Sequence, residues 1–89
     1  MSQIITNPDS MRSFARDLVK CSEALKKEED ALFRDLKALG ATWKDERFQH
    51  FDKLIAESSR ELAAFHRSAR NYADFLARKA AAGDRIVRG

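Results

Sequence analysis

Few side chains in this chain are of the types that do chemistry, and their spacing matches no reactive site. His50 and His66 stand sixteen residues apart, and neither belongs to an HxxxH or CxxC pair of a metal site. Cys21 is the only cysteine, and no histidine or basic residue lies one helical turn away to activate its thiol. The pair Ser58–Ser59 lacks the glycine elbow of a nucleophilic serine. The sequence therefore predicts neither an enzyme nor a metal or cofactor site.

For three of these residues, the position relative to the apolar rows of the chain predicts whether the side chain is buried or exposed. His50 and His66 fall off those rows and are predicted to be surface side chains. Cys21 falls on a row and is predicted to be buried as a small hydrophobe.

The composition indicates one small helical domain. The chain has 89 residues, 44% hydrophobic and 35% charged, with three glycines and one proline to interrupt helices. Met1–Ile5 lacks the basic region of a signal peptide, and no stretch approaches transmembrane length. We therefore expect a protein made in the cytoplasm, whose export would need no cleaved leader.

The charge of the last third leaves one alternative function open. Residues 60–89 carry seven basic and three acidic side chains, so a small basic nucleic-acid-binding bundle is conceivable. No helix-turn-helix, zinc-finger or RNA-binding signature accompanies that charge, and nucleic acid is not the expected partner.

The first half of the chain predicts one long helix, from about residue 8 to residue 39. Asn7 can cap its start, Pro8 suits the first helical position, and Gly40 follows the last apolar repeat, where helices commonly stop. The main apolar side chains recur every seven residues: Met11, Leu18, Leu25, Leu32 and Leu39.

A second long helix is predicted after a short loop, residues 40–43. Thr42 and Asp45 have the spacing of a capping box, and Trp43 between them is a large apolar group suited to plug a hairpin corner. The helix should span about residues 43–82, with residues 83–89 as a flexible tail. Its seam positions alternate steps of three and four, as in a coiled coil: Phe48, Phe51, Ile55, Ser58, Leu62, Phe65, Ala69, Tyr72 and Leu76.

Two long helices and a short loop form an antiparallel hairpin, so the predicted fold is all-α, with one domain over residues 1–89. A hairpin buries one seam, and this chain has apolar side chains beyond that seam, which favours an interface. A second hairpin would cover them in a four-helix bundle, so we expect a homodimer or a heterodimer with a sister hairpin. The candidates for this contact are Val19, Phe33, Leu36, Leu54 and Phe75.

The whole pattern resembles the WXG family, small helical-hairpin proteins related to the early secreted antigens and linked to type VII secretion. The resemblance covers almost the whole chain. It rests on the opening Ile4–Pro8, the central Leu39–Trp43, the aromatic pair Phe48 and Phe51, and Tyr72 late in the second helix.

Two positions depart from the family pattern. The signature tripeptide is tryptophan–any–glycine, whereas here Trp43 is followed by Lys44 and Asp45. Many secreted members, or their partners, carry an acidic residue four positions after a C-terminal tyrosine, but Tyr72 is followed at that distance by Leu76. Tyr72 and Leu76 thus form a degenerate export signal at most, and we expect a partner to supply the signal.

The resemblance implies a function in protein–protein contact. The chain would be a type VII-like secretion substrate or a dimeric helper for one, with a secretion ATPase or a toxin as a further partner. A cytosolic adaptor for a larger secreted toxin is the alternative in the same setting. No cofactor or small-molecule substrate is expected.

Overall fold

The computed structural model describes residues 7–88, with the side chains of residues 7–85. It contains two long helices. Helix α1 spans Pro8–Gly40 and helix α2 spans Glu46–Arg88, and the described residues include no strand. Arg12 near the start of α1 contacts Asp84 near the end of α2, while Gly40 lies beside Phe48 at the other end. The helices therefore run antiparallel, and the predicted all-α hairpin is confirmed.

Helix α1 begins and ends where local chemistry satisfies its backbone. The Asn7 side chain accepts a hydrogen bond from the Ser10 backbone N–H at 3.1 Å, and Pro8 follows at the first helical position. At the far end the backbone N–H groups of Thr42 and Trp43 both donate to the Leu39 carbonyl. The capping residue there, Ala41, keeps right-handed helical angles, so this end needs no left-handed glycine.

The start of α2 corrects the predicted capping box. Asp45 caps this helix, because its carboxylate accepts from the Phe48 backbone N–H at 2.9 Å and its carbonyl accepts from the Gln49 N–H. The Thr42 hydroxyl instead donates back to the Leu39 carbonyl at 3.3 Å. The loop consequently includes Asp45, and α2 begins at Glu46, three residues after the predicted start.

The end of α2 lies well beyond the predicted stop. The helix passes through Gly83 and continues to Arg88. Ala80, which is fully buried, and the 2.5 Å ion pair between Arg12 and Asp84 hold this segment against α1. Those contacts explain why Gly83, although a poor helix former, does not end the helix.

The hairpin is a slab one helix thick. Its Cα atoms extend 65 × 26 × 14 Å. The buried positions of α1 recur every seven residues at Ala15, Ser22, Glu29 and Leu36. No large side chain among the described residues is fully buried, and the buried apolar residues of α2 are alanines. Small side chains at the seam let the two helices approach closely, but they supply little core.

The seam is therefore not the one expected on α1. The leucine row predicted to face inward is displaced by three residues from the buried row, and Leu25, Leu32 and Leu39 are exposed. On α2 the predicted seam splits in two. Phe48, Ile55, Leu62, Ala69 and Leu76 are buried or half-buried, whereas Phe51, Phe65 and Tyr72 are exposed.

Candidate interaction surface

One broad side of the hairpin is apolar and open to solvent. In each helix the exposed large side chains lie mainly three residues after the inward-facing row, as Leu32 follows Glu29 and Phe65 follows Leu62. Equivalent rows of two antiparallel helices face the same side, because a two-fold axis normal to the slab relates them. We call this side the apolar face and define it by its exposed members: Phe14, Leu25, Leu32, Leu39, Phe51, Leu54, Phe65, Tyr72 and Phe75.

The five residues predicted to contact a partner are divided by the structure. Leu54 and Phe75 are about half exposed and belong to the apolar face. Val19 and Phe33 line grooves between the helices on the opposite side of the slab. Leu36 is buried within the hairpin, so its assignment to a partner interface was wrong. Leu25, Leu32 and Leu39, which were expected at the seam, are exposed instead and are available for a partner.

The corner of the hairpin is built around Trp43. Its ring packs against the Phe48 ring with centroids 5.3 Å apart and planes tilted by 58°. A hydrogen bond from the Trp43 side chain, followed by those from the Phe48 and Arg47 backbone N–H groups, lowers the pKa of Asp45. Asp45, which stands where the family pattern has glycine, thus links the tryptophan to the start of α2.

Gly40 completes the corner through its small size. A Cβ atom at this position would lie 2.7 Å from Cζ of Phe48 and 3.1 Å from Cε1. Gly40 is part of α1 and has no positive φ. Its role is to let the Phe48 ring lie against the helix backbone. The sequence had suggested a different role for this glycine, which was to end the helix.

The two residues of the degenerate export signal lie in different environments. Tyr72 is 64% exposed and belongs to the apolar face, whereas Leu76 is half-buried in the seam row of α2. The position that would carry an acidic group in the family pattern therefore points toward α1 in this chain.

The centre of the seam holds a buried polar network that the sequence did not indicate. The Nε2 atom of His66 lies 2.6 Å from Oε2 of Glu29, and its Nδ1 atom lies 2.6 Å from Oγ of Ser22. In the tautomer with its proton on Nε2, the imidazole donates to the Glu29 carboxylate and accepts from the Ser22 hydroxyl. All three residues are at most 9% exposed, so the prediction that His66 is a surface side chain was wrong.

The other two expectations for reactive residues had different outcomes. His50 is exposed, as predicted. Cys21 is also exposed, so the prediction of a buried position was wrong. Cys21 lies one heptad after Phe14, which is also exposed, so the row that these two residues share faces solvent, which accounts for the error.

The network has the residue types of a hydrolytic triad but not its setting. A nucleophilic serine needs access to substrate and nearby N–H donors to stabilise an oxyanion. Ser22 is buried in the middle of α1, where the backbone N–H groups are already used by the helix. The arrangement is suited to joining two helices and not to catalysis.

Other functional features were sought over the described residues. No group of three or more potential ligands among them could hold a metal ion. None of their helices combines the length and the apolar character needed to span a membrane.

Comparison with known proteins identifies the family. Neither the curated proteins nor the solved structures gave a match. The sequence model of one family, WXG100, described as proteins of 100 residues with WXG, matches residues 3–82. That family consists of small, non-enzymatic helical proteins known for secreted members of the early secreted antigen type. With its hairpin fold, its corner tryptophan and a match over nearly its whole length, the chain belongs to the WXG100 family.

Proposed function

We propose that this protein functions by pairing through its apolar face, as a type VII-like secretion substrate or as the dimeric helper of one. The observation that carries the proposal is the row of large apolar side chains that the hairpin leaves in water. The slab that bears them measures 65 × 26 Å, so the outline of its broad side has about twice the area that each partner buries in a standard protein interface, roughly 800 Å². A second hairpin laid on this face gives a four-helix bundle with a large apolar core.

The charge distribution favours a second copy placed head to tail. The loop half of the hairpin, residues 28–60, carries eight acidic and six basic side chains. The half with the chain ends, residues 7–27 and 61–88, carries eleven basic and six acidic side chains. Two copies packed antiparallel would bring the −2 half of one against the +5 half of the other, which supports a homodimer.

The position of the export-signal residues supports dependence on a partner. In a pair joined by the apolar face, Tyr72 would be covered, while Leu76 already packs toward α1. Neither side chain would then be free for a secretion ATPase. The homodimer would then leave the cell only with a further protein that carries a complete signal.

Sedimentation equilibrium of the purified chain tests the pairing. The expected result is a dimer of twice 10.2 kDa at micromolar concentration, with a helical circular dichroism spectrum. A helical monomer that persists at high concentration would contradict the proposal.

Export is tested separately, by expressing the chain in a host with an active type VII system, with and without its neighbouring genes. We expect it in the medium only with those genes. Efficient release of the chain alone, abolished by Tyr72→Ala in a variant that still dimerises, would show that Tyr72 belongs to an export signal of its own.

A further inference from the structure

We propose that the network of Ser22, His66 and Glu29 is a register lock, which selects the observed alignment of α1 against α2 over alignments displaced by one heptad. The proposal concerns pairing within one chain and does not depend on the partner of the apolar face. It rests on the difference between this network and the rest of the seam.

The apolar part of the seam distinguishes only partly between registers. Its buried residues are mostly alanines, with Ala15 on α1 and Ala69, Ala73 and Ala80 on α2. Ala73 and Ala80 are one heptad apart on α2, as Ala15 and Ser22 are on α1, so along this row a shift of one heptad again places small side chains opposite one another. Such a shift needs only about one turn to unwind at the corner, and the apolar cost that remains is the exchange of Ala69 for Leu62 or Leu76 in the neighbouring row.

Only the observed register lets both ring nitrogens of His66 meet a polar partner on α1. Ser22 and Glu29 are one heptad apart on α1, and His66 lies between them, with one ring nitrogen for each. A shift of α2 in one direction would bring His66 level with Glu29 and Leu36, and in the other direction with Ala15 and Ser22. The first shift leaves Ser22 opposite Ala73, without a hydrogen-bond partner. The second brings Ser59, one heptad before His66, level with Ser22 and Glu29, so a single hydroxyl replaces the two ring nitrogens. Both changes are unfavourable for buried polar groups.

This role has a signature that packing alone does not produce. Removing one member leaves the others buried and unsatisfied, so Ser22→Ala or Glu29→Leu should lower the melting temperature. Replacing all three by apolar residues removes every unsatisfied group, so the triple variant Ser22→Ala, Glu29→Leu, His66→Leu should regain stability. The triple variant should nevertheless lose its unique register.

Distance measurements between spin labels test the register directly. The labels are placed at Lys20 and Ala64, both exposed, in a Cys21→Ala background. Labelled chain is diluted into unlabelled chain, so that only distances within one molecule are measured. We expect one label-to-label distance in the parent protein and at least one additional distance in the triple variant. The additional distance would come from molecules in which α2 is displaced along its axis by roughly 10 Å, the rise of seven residues.

A matched control makes the same chemical changes at exposed positions: Ser13→Ala, Glu57→Leu, His50→Leu. This variant should keep the single distance. The proposal is overturned if the apolar triple variant folds with the same single distance as the parent. It is also overturned if the triple variant unfolds, since the network would then be a main source of stability, or if neither single variant lowers the melting temperature.

Discussion

Leu32→Glu is the sharpest test of the apolar face. Leu32 is 52% exposed in the hairpin, so about half of the roughly 1.5–3 kcal/mol for burying a leucine remains to be gained on pairing. An interface with two-fold symmetry contains the residue twice, which makes the lost apolar term about 2 kcal/mol per dimer. Desolvating two unpaired carboxylates adds at least about 1 kcal/mol each. We expect the dimer to be weakened by at least about 4 kcal/mol, or roughly a thousandfold in Kd.

The assay is sedimentation equilibrium over a range of concentrations, with circular dichroism to follow the fold. Leucine and glutamate have similar helix propensities, so any loss of helix in the variant would come from the lost pairing and not from the substitution itself. The matched control is Ala24→Glu, which adds the same charge at an exposed position of α1 outside the apolar face. Equal dissociation constants for the two variants would refute the assignment of this face as the interface.

Three further predictions concern the corner and are read by thermal unfolding. Gly40→Ala should lower the melting temperature although alanine favours a helix by about 1 kcal/mol, because the new Cβ would lie 2.7 Å from the Phe48 ring; a rise in melting temperature would contradict this. Asp45→Asn should destabilise the protein at neutral pH, because folding lowers the pKa of Asp45. This difference should be full above the unfolded pKa of about 4, shrink as the pH falls below it, and vanish once the pH is below the lower folded pKa. A difference between parent and variant that does not change with pH would exclude this linkage. Thr42→Ala should lower the melting temperature less than Asp45→Ala, since Asp45 is the cap. A larger effect of Thr42→Ala would instead support Thr42 as the cap, as in the predicted capping box.

The helices and their antiparallel pairing could be predicted from the sequence because the signals are local. The cap at Asn7 and Pro8 fixed the start of α1, and the seven-residue repeat extended it to the corner. The errors at the corner have an equally local cause. Thr42 and Asp45 both suit a cap, and only the backbone shows which N–H groups each one meets.

The inward side of α1 could not be predicted, because the helix has two rows to choose from. The leucine row is the more hydrophobic, so periodicity assigns it to the seam. In the structure a row of small and polar residues packs against α2 and the leucines remain outside. Hydrophobicity ranks the rows by their tendency to leave water, but it does not say which surface will cover them.

The same ambiguity hid the polar network. Ser22 and Glu29 fall on the same seven-residue repeat as Ala15 and Leu36, which is a signal only once that row is known to face inward. His66 lies four residues after Leu62 on α2, on the groove side of the seam. Long-range pairing of this kind, 37 and 44 residues apart in the chain, is not encoded in any local pattern.

A slab 14 Å thick has a thermodynamic consequence for a protein that pairs through one side. In such a protein the large apolar side chains that the hairpin leaves exposed would be buried only on pairing, so folding and association would form one linked equilibrium. The melting temperature should then rise with protein concentration, and dilution should favour unfolding as well as dissociation. The amount of chain made by the cell, and not the sequence alone, would set how much of it is folded.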